Sequence, residues 1–525
     1  MKQSGVSFGT SGIRGLSDSL TDRLCYSYVT AFLQYIKELR VSADGDSDAA
    51  KERQVAVSGD FRPTTSRIIR VIVRAAQDHG YIPVDCGRFP TPALALYAME
   101  QRIPAVMVTG SHIAENRNGM KFFLPDGEIL KKDEEALCCR KIEISEDLFD
   151  ENGNLRREFY PRTCETDHGA AAQTYYMRYL ETFPENCLAG YRIGFLMHSS
   201  VSGDILGDLY ESLGAEVARF GRVEKFVAVD TESLSTEFLE FVKQWGRAGR
   251  FDVIFSADGD GDRPLIFDEN GDLIPGDLSG IVTSLFLNAD TVVTPVTSNT
   301  VLERINRFPK ILRTKVGSPY VIAGMEQAAL EGGKVIAGYE ANGGFLTWTP
   351  VPLTENFRML GFRTPAKKTG LAPLPTRDPA IVHLALLLTS RRLNKPFSAF
   401  HTLFPPRVTQ NGRLSDYPVS VARAKLQQLQ TEENGNYPAA SVLFGQFGEL
   451  TGIDFTDGVR MTFDANHIIH LRVSGNSPEF RCYIETENAV HARRLLHETL
   501  AVMDSWRSGS GESFSCNPQH PMKVH

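Results

Sequence analysis

The most constraining part of this sequence is an acidic loop that directly follows a short apolar segment. Residues 251–255 (FDVIF) have the composition of a short buried strand. Residues 258–263 (DGDGDR) come next. In open α/β sheets, ligands bind in loops at the carboxyl ends of strands. The sequence therefore predicts an α/β fold with a binding site at the end of this strand.

The acidic loop has the composition of a divalent-cation site. Asp258, Asp260 and Asp262 repel one another unless a positive charge lies between them. A hard cation with oxygen ligands removes that repulsion, and the intervening glycines allow the backbone to turn tightly. Mg²⁺ is suited to such a loop because it takes few carboxylates and completes its shell with water and substrate phosphate. Arg263, next to the cation, indicates a phosphorylated ligand.

Two other interpretations of this loop remain open. One is a solvated acidic turn, since Asp and Gly are common in turns. The other is an EF-hand, because Asp258, Asp260, Asp262 and Glu269 have the spacing of EF-hand ligands. However, Arg263 occupies the position that requires glycine, and a strand precedes the loop instead of a helix. These departures disfavour the EF-hand.

The composition is that of a globular protein without a basic surface. It is 42% hydrophobic and 23% charged, and the formal net charge is −8. This balance argues against nucleic acid or a membrane surface as a partner. No apolar run reaches the ~18 residues of a membrane span, and the N-terminus lacks a signal-peptide core. The eight cysteines lack metal-site spacing, which favours reduced thiols and a cytoplasmic location.

A chain of this length is too long for one core, and its patterns predict several domains. Strands and helices alternate in residues 1–150, 165–272 and 273–395, which predicts parallel sheets with crossover helices. Residues 405–506 predict antiparallel strands and a helix, and 507–525 predict a disordered tail. Within the third α/β region, the Pro- and Thr-rich segment 350–378 is predicted to be a surface loop.

Ser111 follows the predicted strand 105–108 and precedes His112. A nucleophilic serine at such a position requires a base, a cation or a positive field. For a Ser-His pair in isolation, a turn with a helix-capping hydroxyl is the commoner explanation. The esterase pattern Gly-x-Ser-x-Gly is not met, because residue 113 is isoleucine.

Three further polar segments are candidate binding loops. Residues 6–15 contain Arg14 and several hydroxyl side chains, and such a loop can approach an anion. Residues 338–344 (GYEANGG) contain acceptors for sugar hydroxyls, although a glycine-rich turn is the alternative. Residues 472–479 (RVSGNSPE) combine an arginine, hydroxyls and an exposed backbone, which is typical of a phosphate cradle.

These segments, in this order, resemble the α-D-phosphohexomutase family, which includes phosphomannomutases, phosphoglucomutases and phosphoglucosamine mutases. The segments that carry the resemblance are the N-terminal signature 8–15 (FGTSGIRG), the phosphoserine loop 109–112 (TGSH), the metal loop 258–263, the sugar loop 338–344 and the phosphate loop 472–479. The departures are Gly110 for alanine, Ile113-Ala114 for Asn-Pro, Asn342 for serine, and Ser318 for a histidine.

The resemblance implies three similar α/β domains with mixed sheets and a C-terminal α+β domain, with an active-site cleft at the centre. It implies that Ser111 carries a phosphoryl group and that one Mg²⁺ per subunit binds Asp258, Asp260, Asp262 and the serine phosphate. The implied catalytic residues are Ser111, His112, Lys121, Arg14 and Arg263. Those for the sugar are Glu340 and Asn342, and those for the non-reacting phosphate are Arg472, Ser474, Gly475, Asn476 and Ser477.

The implied activity is that of an isomerase, an intramolecular phosphotransferase that interconverts hexose 6-phosphate and hexose 1-phosphate. Mannose is favoured over glucose, and hexose 1,6-bisphosphate is the implied activator. Phosphoglucosamine mutase is the alternative within the family. A phosphohydrolase and a non-catalytic sugar-phosphate-binding protein are alternatives from other classes. The expected partner is the hexose phosphate substrate, and the expected oligomeric state is a monomer or homodimer.

Overall fold

The structure, a computed structural model, describes residues 6–41, 53–362, 366–433, 435–475 and 478–508. The chain divides into two compact units. The first comprises Met1–Val292 and Gly317–Phe400, and the second comprises Val293–Val316 and His401–His525. The domain boundaries given above remain predictions, and the segment 509–525 of the predicted tail lies outside the described residues.

Helices lie where apolar residues repeat with helical spacing. For example, the Thr21 side chain caps the first helix by accepting a hydrogen bond from the Leu24 N–H at 3.3 Å. In chain order, the described α-helices are α1 (Asp22–Val41), α2 (Thr65–Asp78), α3 (Thr91–Gln101), α4 (Lys131–Cys138), α5 (Ala170–Leu180), α6 (Gly203–Ser212), α7 (Thr236–Arg247), α8 (Gly276–Phe286), α9 (Val301–Arg304), α10 (Ser318–Leu330), α11 (Thr354–Met359), α12 (Pro379–Leu393), α13 (Val419–Leu429), α14 (Pro438–Phe444) and α15 (Ala489–Ser505).

The strands include every strand predicted above and several additional ones. In chain order, those described are β1 (Ser7–Phe8), β2 (Ile13–Leu16), β3 (Gln54–Gly59), β4 (Ile82–Arg88), β5 (Ala105–Val108), β6 (Arg117–Leu124), β7 (Gly127–Glu128), β8 (Glu165–Thr166), β9 (Arg192–His198), β10 (Glu216–Arg222), β11 (Val253–Ala257), β12 (Pro264–Phe267), β13 (Thr291–Pro295), β14 (Lys310–Thr314), β15 (Ile336–Tyr339), β16 (Phe345–Thr347), β17 (Val351–Pro352), β18 (Gly370–Leu371), β19 (Val408–Leu414), β20 (Leu450–Asp454), β21 (Val459–Phe463), β22 (Ile468–Val473) and β23 (Phe480–Thr486).

The N-terminal sheet is mixed. Its order is β1–β2–β6–β5–β3–β4–β8, with β7 paired to β6. Strands β3, β4 and β5 are parallel, as the strand–helix alternation predicts. Strand β6 is antiparallel to both β5 and β2. This sheet therefore brings the N-terminal signature, on β1 and β2, next to the loop that follows β5.

The same hairpin arrangement recurs further along the first unit. The next sheet has the order β10–β9–β11–β12, in which β9, β10 and β11 are parallel and β12 is antiparallel to β11. Strand β15 likewise pairs with the antiparallel strand β16. The phosphoserine, metal and sugar loops thus each connect a strand to an antiparallel neighbour. The mixed sheets implied by the family resemblance are confirmed.

The second unit contains an antiparallel sheet with the order β19–β23–β22–β21–β20. One face is apolar, and side chains from β21, β22, β23 and α15 form a hydrophobic core there. The antiparallel strands and the helix predicted for this region are confirmed as β21, β22, β23 and α15, together with its α+β character. Strands β19 and β20 and helices α13 and α14 are additional.

The prediction of a surface loop over residues 350–378 is wrong, because the segment contains β17, α11 and β18 and its last part is buried. Leu374, Thr376, Arg377 and Asp378 are all buried. The Leu374 N–H donates to the Thr347 carbonyl, which ties the segment to β16. The polar side chains in this segment have buried partners, and a composition rich in Pro, Thr and Lys does not reveal such partners.

Two general expectations can be compared with the described residues. No helix among them combines the length and the apolar character needed to cross a bilayer. The cysteines in the same part of the chain are all free thiols, and several are buried.

Candidate active site

Ser111 occupies the first turn after β5 and is buried. Its backbone has φ +54°, in the left-handed region that non-glycine residues rarely adopt. The Ser111 N–H donates to Thr109 Oγ1 at 2.6 Å, and its Oγ donates to Asp258 Oδ2 at 2.8 Å. His112 Nδ1 lies 3.3 Å from the same Oγ. The serine hydroxyl is therefore aimed at the acidic loop.

The three aspartates of the acidic loop converge. Asp258, Asp260 and Asp262 are fully buried, and one oxygen from each lies within 4.8 Å of the others. Asp258 Oδ1 accepts the N–H groups of Asp262 and Arg263, each at 3.2 Å, so the loop wraps around this carboxylate. A solvated acidic turn would expose these groups, so that interpretation is wrong.

Cationic side chains surround the triad. Lys121 Nζ, from β6, donates to Asp260 Oδ2 at 2.6 Å and to Asp262 Oδ2 at 2.5 Å. Arg263 Nε lies 3.9 Å from oxygens of Asp258 and Asp262. The site therefore concentrates both signs of charge out of contact with bulk water.

Burial and neighbouring charges shift the pKa values in opposite directions. Burial raises the pKa of Asp258 well above its ordinary value, and the charges of Asp260 and Asp262 raise it further. Burial acts in the same direction on Asp260, but the Lys121 ammonium outweighs it and lowers that pKa. Burial alone would lower the pKa of Lys121, yet the two carboxylates it contacts raise it. The triad thus carries more negative charge than its environment accommodates easily.

These residues fit a hard divalent cation. Asp260 Oδ1 and Asp262 Oδ1 are buried and accept no hydrogen bond from any described residue. Buried carboxylate oxygens without donors are costly unless a cation binds them. Three convergent carboxylates are also the oxygen-rich donor set that Mg²⁺ and Ca²⁺ take.

Arg14 approaches the triad from β2. It is paired with Gly119 of the antiparallel strand β6. A Cβ atom at residue 119 would lie 2.0 Å from the Ile13 carbonyl oxygen and 2.7 Å from Arg14 Nη1, so the close approach of β2 to β6 requires glycine here. Gly119 and Lys121 share one face of β6, because side chains alternate along a strand. Burial lowers the pKa of Arg14 to about 10, and Asp260 opposes that shift, so Arg14 stays charged at neutral pH.

The loop after β15 brings Glu340 to the same region. Its carboxylate is buried and accepts a hydrogen bond from Arg377 Nε at 2.5 Å. Arg377 Nη1 also donates to Asp262 Oδ2 at 3.3 Å. Asn342 Oδ1 accepts the Gly344 N–H at 2.9 Å, so this amide shapes its own loop. One arginine therefore connects the metal and sugar loops.

The predicted phosphate loop lies in the second unit, between β22 and β23. Arg472 is buried, and its Nε donates to Asp457 Oδ2 at 3.1 Å. The Ser474 N–H donates to the Glu479 carbonyl at 2.9 Å, closing the neck of the loop that contains Gly475. Asn476 and Ser477 lie outside the described residues.

Comparison with known proteins identifies the family. Residues 5–147 match the description "Phosphoglucomutase/phosphomannomutase, alpha/beta/alpha domain I", and residues 278–352 match domain III of the same description. A phosphomannomutase of Sinorhizobium fredii is 38% identical over 502 residues, covering 95% of this chain and 99% of the relative. One of Salmonella muenchen is 36% identical over 505 residues, covering 96% and 97%. The chain belongs to the phosphoglucomutase/phosphomannomutase family.

A solved structure supports the fold. A phosphoglucomutase/phosphomannomutase family protein from Burkholderia thailandensis superposes with a TM-score of 0.69 at 18% identity, covering 97% of this chain and 99% of that one. Membership in the phosphoglucomutase/phosphomannomutase family makes this chain an enzyme, a phosphotransferase of the mutase type. The family predicted from the sequence is thereby confirmed.

The first unit of this family member brings together most of the predicted site residues. The triad of Asp258, Asp260 and Asp262 is surrounded by Ser111, His112, Lys121, Arg14 and Arg263, and Glu340 joins them through Arg377. The EF-hand interpretation is wrong, because Glu269 accepts hydrogen bonds from the Ser398 backbone and hydroxyl outside the triad.

Sequence reasoning missed several residues of this family member's site. Thr91 Oγ1 donates to Asp260 Oδ2 at 2.7 Å, and no motif marks it. Arg377 lies in the segment predicted to be a surface loop. Asp60 and Arg62 follow the strand β3, so the rule that led to Ser111 could have found them as well.

The position of the family's missing histidine is occupied by a serine with a specific partner. Ser318, the first residue of α10, donates to Glu128 Oε2 at 2.9 Å. Glu128 Oε1 accepts from Thr376 Oγ1 at 2.7 Å. Glu128 thus connects α10 to the segment that carries Arg377.

Proposed function

We propose that this mutase interconverts mannose 6-phosphate and mannose 1-phosphate, with phosphoglucomutase and phosphoglucosamine mutase activities as alternatives. The observation that carries the proposal is the hydrogen bond from Ser111 Oγ to Asp258, at a buried carboxylate triad that fits a divalent cation. The names of the two relatives at 36–38% identity support mannose as the hexose.

In the proposed reaction, Ser111 carries a phosphoryl group and passes it to the free hydroxyl of a hexose phosphate. The bond between phosphorus and Oγ breaks, a bond to the sugar oxygen forms, and the hydroxyl proton ends on Oγ. The resulting hexose bisphosphate reorients within the site, so that its other phosphoryl group faces Ser111. Its other phosphoryl group then returns to Ser111 by the reverse exchange, releasing the isomeric hexose phosphate.

Charged side chains stabilise this transfer, because phosphoryl transfer depends mainly on positioning and charge neutralisation. Arg14, Lys121 and Arg263 supply positive charge around the buried triad. Mg²⁺ bound by the triad and the serine phosphate would neutralise charge on the transferring group. His112, with Nδ1 3.3 Å from Ser111 Oγ, is the better candidate for moving the proton, since Lys121 is engaged by two carboxylates.

Substrate binding is assigned to the remaining loops. We infer that Glu340 and Asn342 bind the sugar hydroxyls. Arg472, Ser474 and Gly475 would bind the phosphate that does not react, together with Asn476 and Ser477 on the basis of the sequence resemblance. Hexose 1,6-bisphosphate would activate the enzyme by phosphorylating Ser111. A cytoplasmic location and a monomeric or homodimeric state complete the proposal.

The substrate is tested with a coupled assay containing Mg²⁺ and a trace of hexose 1,6-bisphosphate. Mannose 1-phosphate, glucose 1-phosphate and glucosamine 1-phosphate are compared by kcat/KM, and we expect the highest value for mannose 1-phosphate. A higher value for glucosamine 1-phosphate would instead assign a phosphoglucosamine mutase. Release of inorganic phosphate without isomerisation indicates a phosphohydrolase, and binding without turnover indicates a sugar-phosphate-binding protein.

Arg377 provides a test of the sugar-binding assignment. Arg377→Gln removes the hydrogen bonds from Arg377 to Glu340 and Asp262. Each of these buried carboxylates then has one hydrogen-bond donor fewer. Charge-assisted hydrogen bonds of this kind contribute about 1.5–3 kcal/mol each. We expect KM for the hexose phosphate to rise about tenfold to a hundredfold.

The matched control for this variant is Arg392→Gln, because Arg392 is exposed and lies on the same stretch of chain. Steady-state kinetics of the two variants should differ in KM. An unchanged KM in Arg377→Gln would remove Glu340 from the sugar site.

A further inference from the structure

The loop that carries Ser111 encloses one buried arginine. Arg62 has no exposed side-chain surface, and its guanidinium donates to four backbone carbonyls of this loop. These are the carbonyls of Ser111 at 2.9 Å, Ile113 at 2.6 Å, Ala114 at 2.7 Å and Arg117 at 2.8 Å. The guanidinium therefore contacts the loop along most of its length.

Arg62 is itself fixed from several sides. The side-chain Nε of Arg62 donates to Asp60 Oδ2 at 3.1 Å, and its backbone N–H donates to Asp60 Oδ1 at 3.1 Å. Asp60 also accepts a hydrogen bond from Thr109 Oγ1 at 2.7 Å. Thr109 Oγ1 in turn accepts a hydrogen bond from the Ser111 N–H. The guanidinium lies 4.1 Å from the ring centroid of Phe226. Hydrogen bonds thus reach Ser111 through both its carbonyl and its N–H.

The conformation of Ser111 explains why the loop requires this support. Its φ of +54° is unfavourable for an L-residue and persists only where the surroundings hold it. Without Arg62 each of these inward-facing carbonyls loses a charged donor, and among them the Ala114 carbonyl keeps the Arg117 N–H at 3.1 Å, so the loop would relax to other conformations. Relaxation would move Oγ away from Asp258.

Gly110 leaves the space that Arg62 occupies. A Cβ atom at residue 110 would lie 2.5 Å from Arg62 Cζ and 2.6 Å from its Nε. Gly110, Ile113 and Ala114 are the positions where this loop departs from the family pattern of alanine, asparagine and proline. All three positions adjoin Arg62. Gly110 leaves space for the guanidinium because it has no Cβ, and the carbonyls of Ile113 and Ala114 accept its hydrogen bonds.

We propose that Arg62 is a positioning residue for the phosphoryl transfer, an inference that rests on the proposed mutase function. It acts through the backbone of the Ser111 loop, and Gly110 is required for it to do so. Since near-attack geometry tolerates little displacement, loosening this loop lowers kcat more than it weakens substrate binding.

The first test compares Arg62→Met, Arg62→Lys and Arg67→Met. Arg67 is a matched control, because it sits on α2, pairs with Asp22 and donates to the Leu20 carbonyl at 2.7 Å, away from the Ser111 loop. We expect Arg62→Met to lower kcat about a hundredfold with KM changed less than about threefold. Arg62→Lys should recover part of kcat, and Arg67→Met should keep the wild-type value. Equal kcat values in Arg62→Met and Arg67→Met would overturn the proposal.

A double-mutant cycle tests the contact itself. Gly110→Ala should lower kcat strongly in the wild type but little in the Arg62→Met background, because the added Cβ then has no guanidinium to displace. Additive effects would contradict the role given to Gly110. Gly110→Ala also serves as the main test if Arg62→Met does not fold.

Amide hydrogen exchange separates this inference from the proposed function. Faster exchange within residues 110–117 in Arg62→Met and Gly110→Ala, but not in Arg67→Met, supports the positioning role even if mannose phosphates are not the substrate. Unchanged exchange in all variants counts against the role of Arg62, whichever hexose phosphate the enzyme converts.

Discussion

Replacing Ser111 with alanine is expected to lower turnover of mannose 1-phosphate by about four orders of magnitude or more. The reason is that the proposed reaction proceeds through this oxygen twice, as donor and as acceptor of the phosphoryl group. Oγ is also the atom aimed at the carboxylate triad. Alanine removes it while leaving the buried loop otherwise intact.

Turnover and phosphorylation are measured together for this variant. Incubation with hexose 1,6-bisphosphate should add the mass of one phosphoryl group to the wild type and none to Ser111→Ala. Ser58→Ala is the matched control, because Ser58 is a buried serine on β3 whose hydroxyl donates to the Gly87 carbonyl. Appreciable turnover in Ser111→Ala would exclude the phosphoserine mechanism.

Neutralising one carboxylate of the triad is expected to have the second-largest effect. Asp258→Asn should lower kcat/KM by about three orders of magnitude, because a divalent cation contributes several kcal/mol to transition-state stabilisation. In the wild type, Mg²⁺ at a hundred times its Kd should stabilise the fold by about 2.7 kcal/mol. The variant should lose that response, since one of three convergent oxygen ligands is gone.

The metal-free stability of the same variant gives an independent result. Asparagine retains an acceptor for the N–H groups of Asp262 and Arg263 and removes a buried carboxyl whose pKa is raised by burial and by the other two carboxylates. Thermal unfolding with a chelator should therefore give a Tm for Asp258→Asn at or above that of the wild type. Asp272→Asn, at an exposed aspartate, is the control. A wild-type Mg²⁺ response in Asp258→Asn would refute the assignment of the cation site.

Local sequence patterns were sufficient to predict the strands that carry the Ser111 loop and the acidic loop. Strand 105–108 was predicted with the bounds it has, and the strand before Asp258 was found to within two residues. Such elements are encoded locally, because apolar spacing and turn residues set the conformation of a short segment. Together with the rule that ligands bind at the carboxyl ends of strands, this identified Ser111 and the three aspartates.

The same reasoning did not predict the antiparallel strands at the site. Strand β6 (Arg117–Leu124) begins with two polar residues and a glycine, so its pattern resembles a loop. Lys121 interrupts its apolar alternation, because the ammonium is buried against carboxylates 139 and 141 residues away in the sequence. A buried charge cannot be recognised locally, since its partners are brought to it only by the folded chain.

The arginines that organise the site illustrate the same limit. Arg62 binds carbonyls about 50 residues away, and Arg377 joins Asp262, 115 residues away, to Glu340. The sequence by itself determined the order of the loops, their chemistry and the family. Only the tertiary structure decided which charges are buried together, because desolvation makes their pairing depend on neighbours that the chain supplies from distant positions.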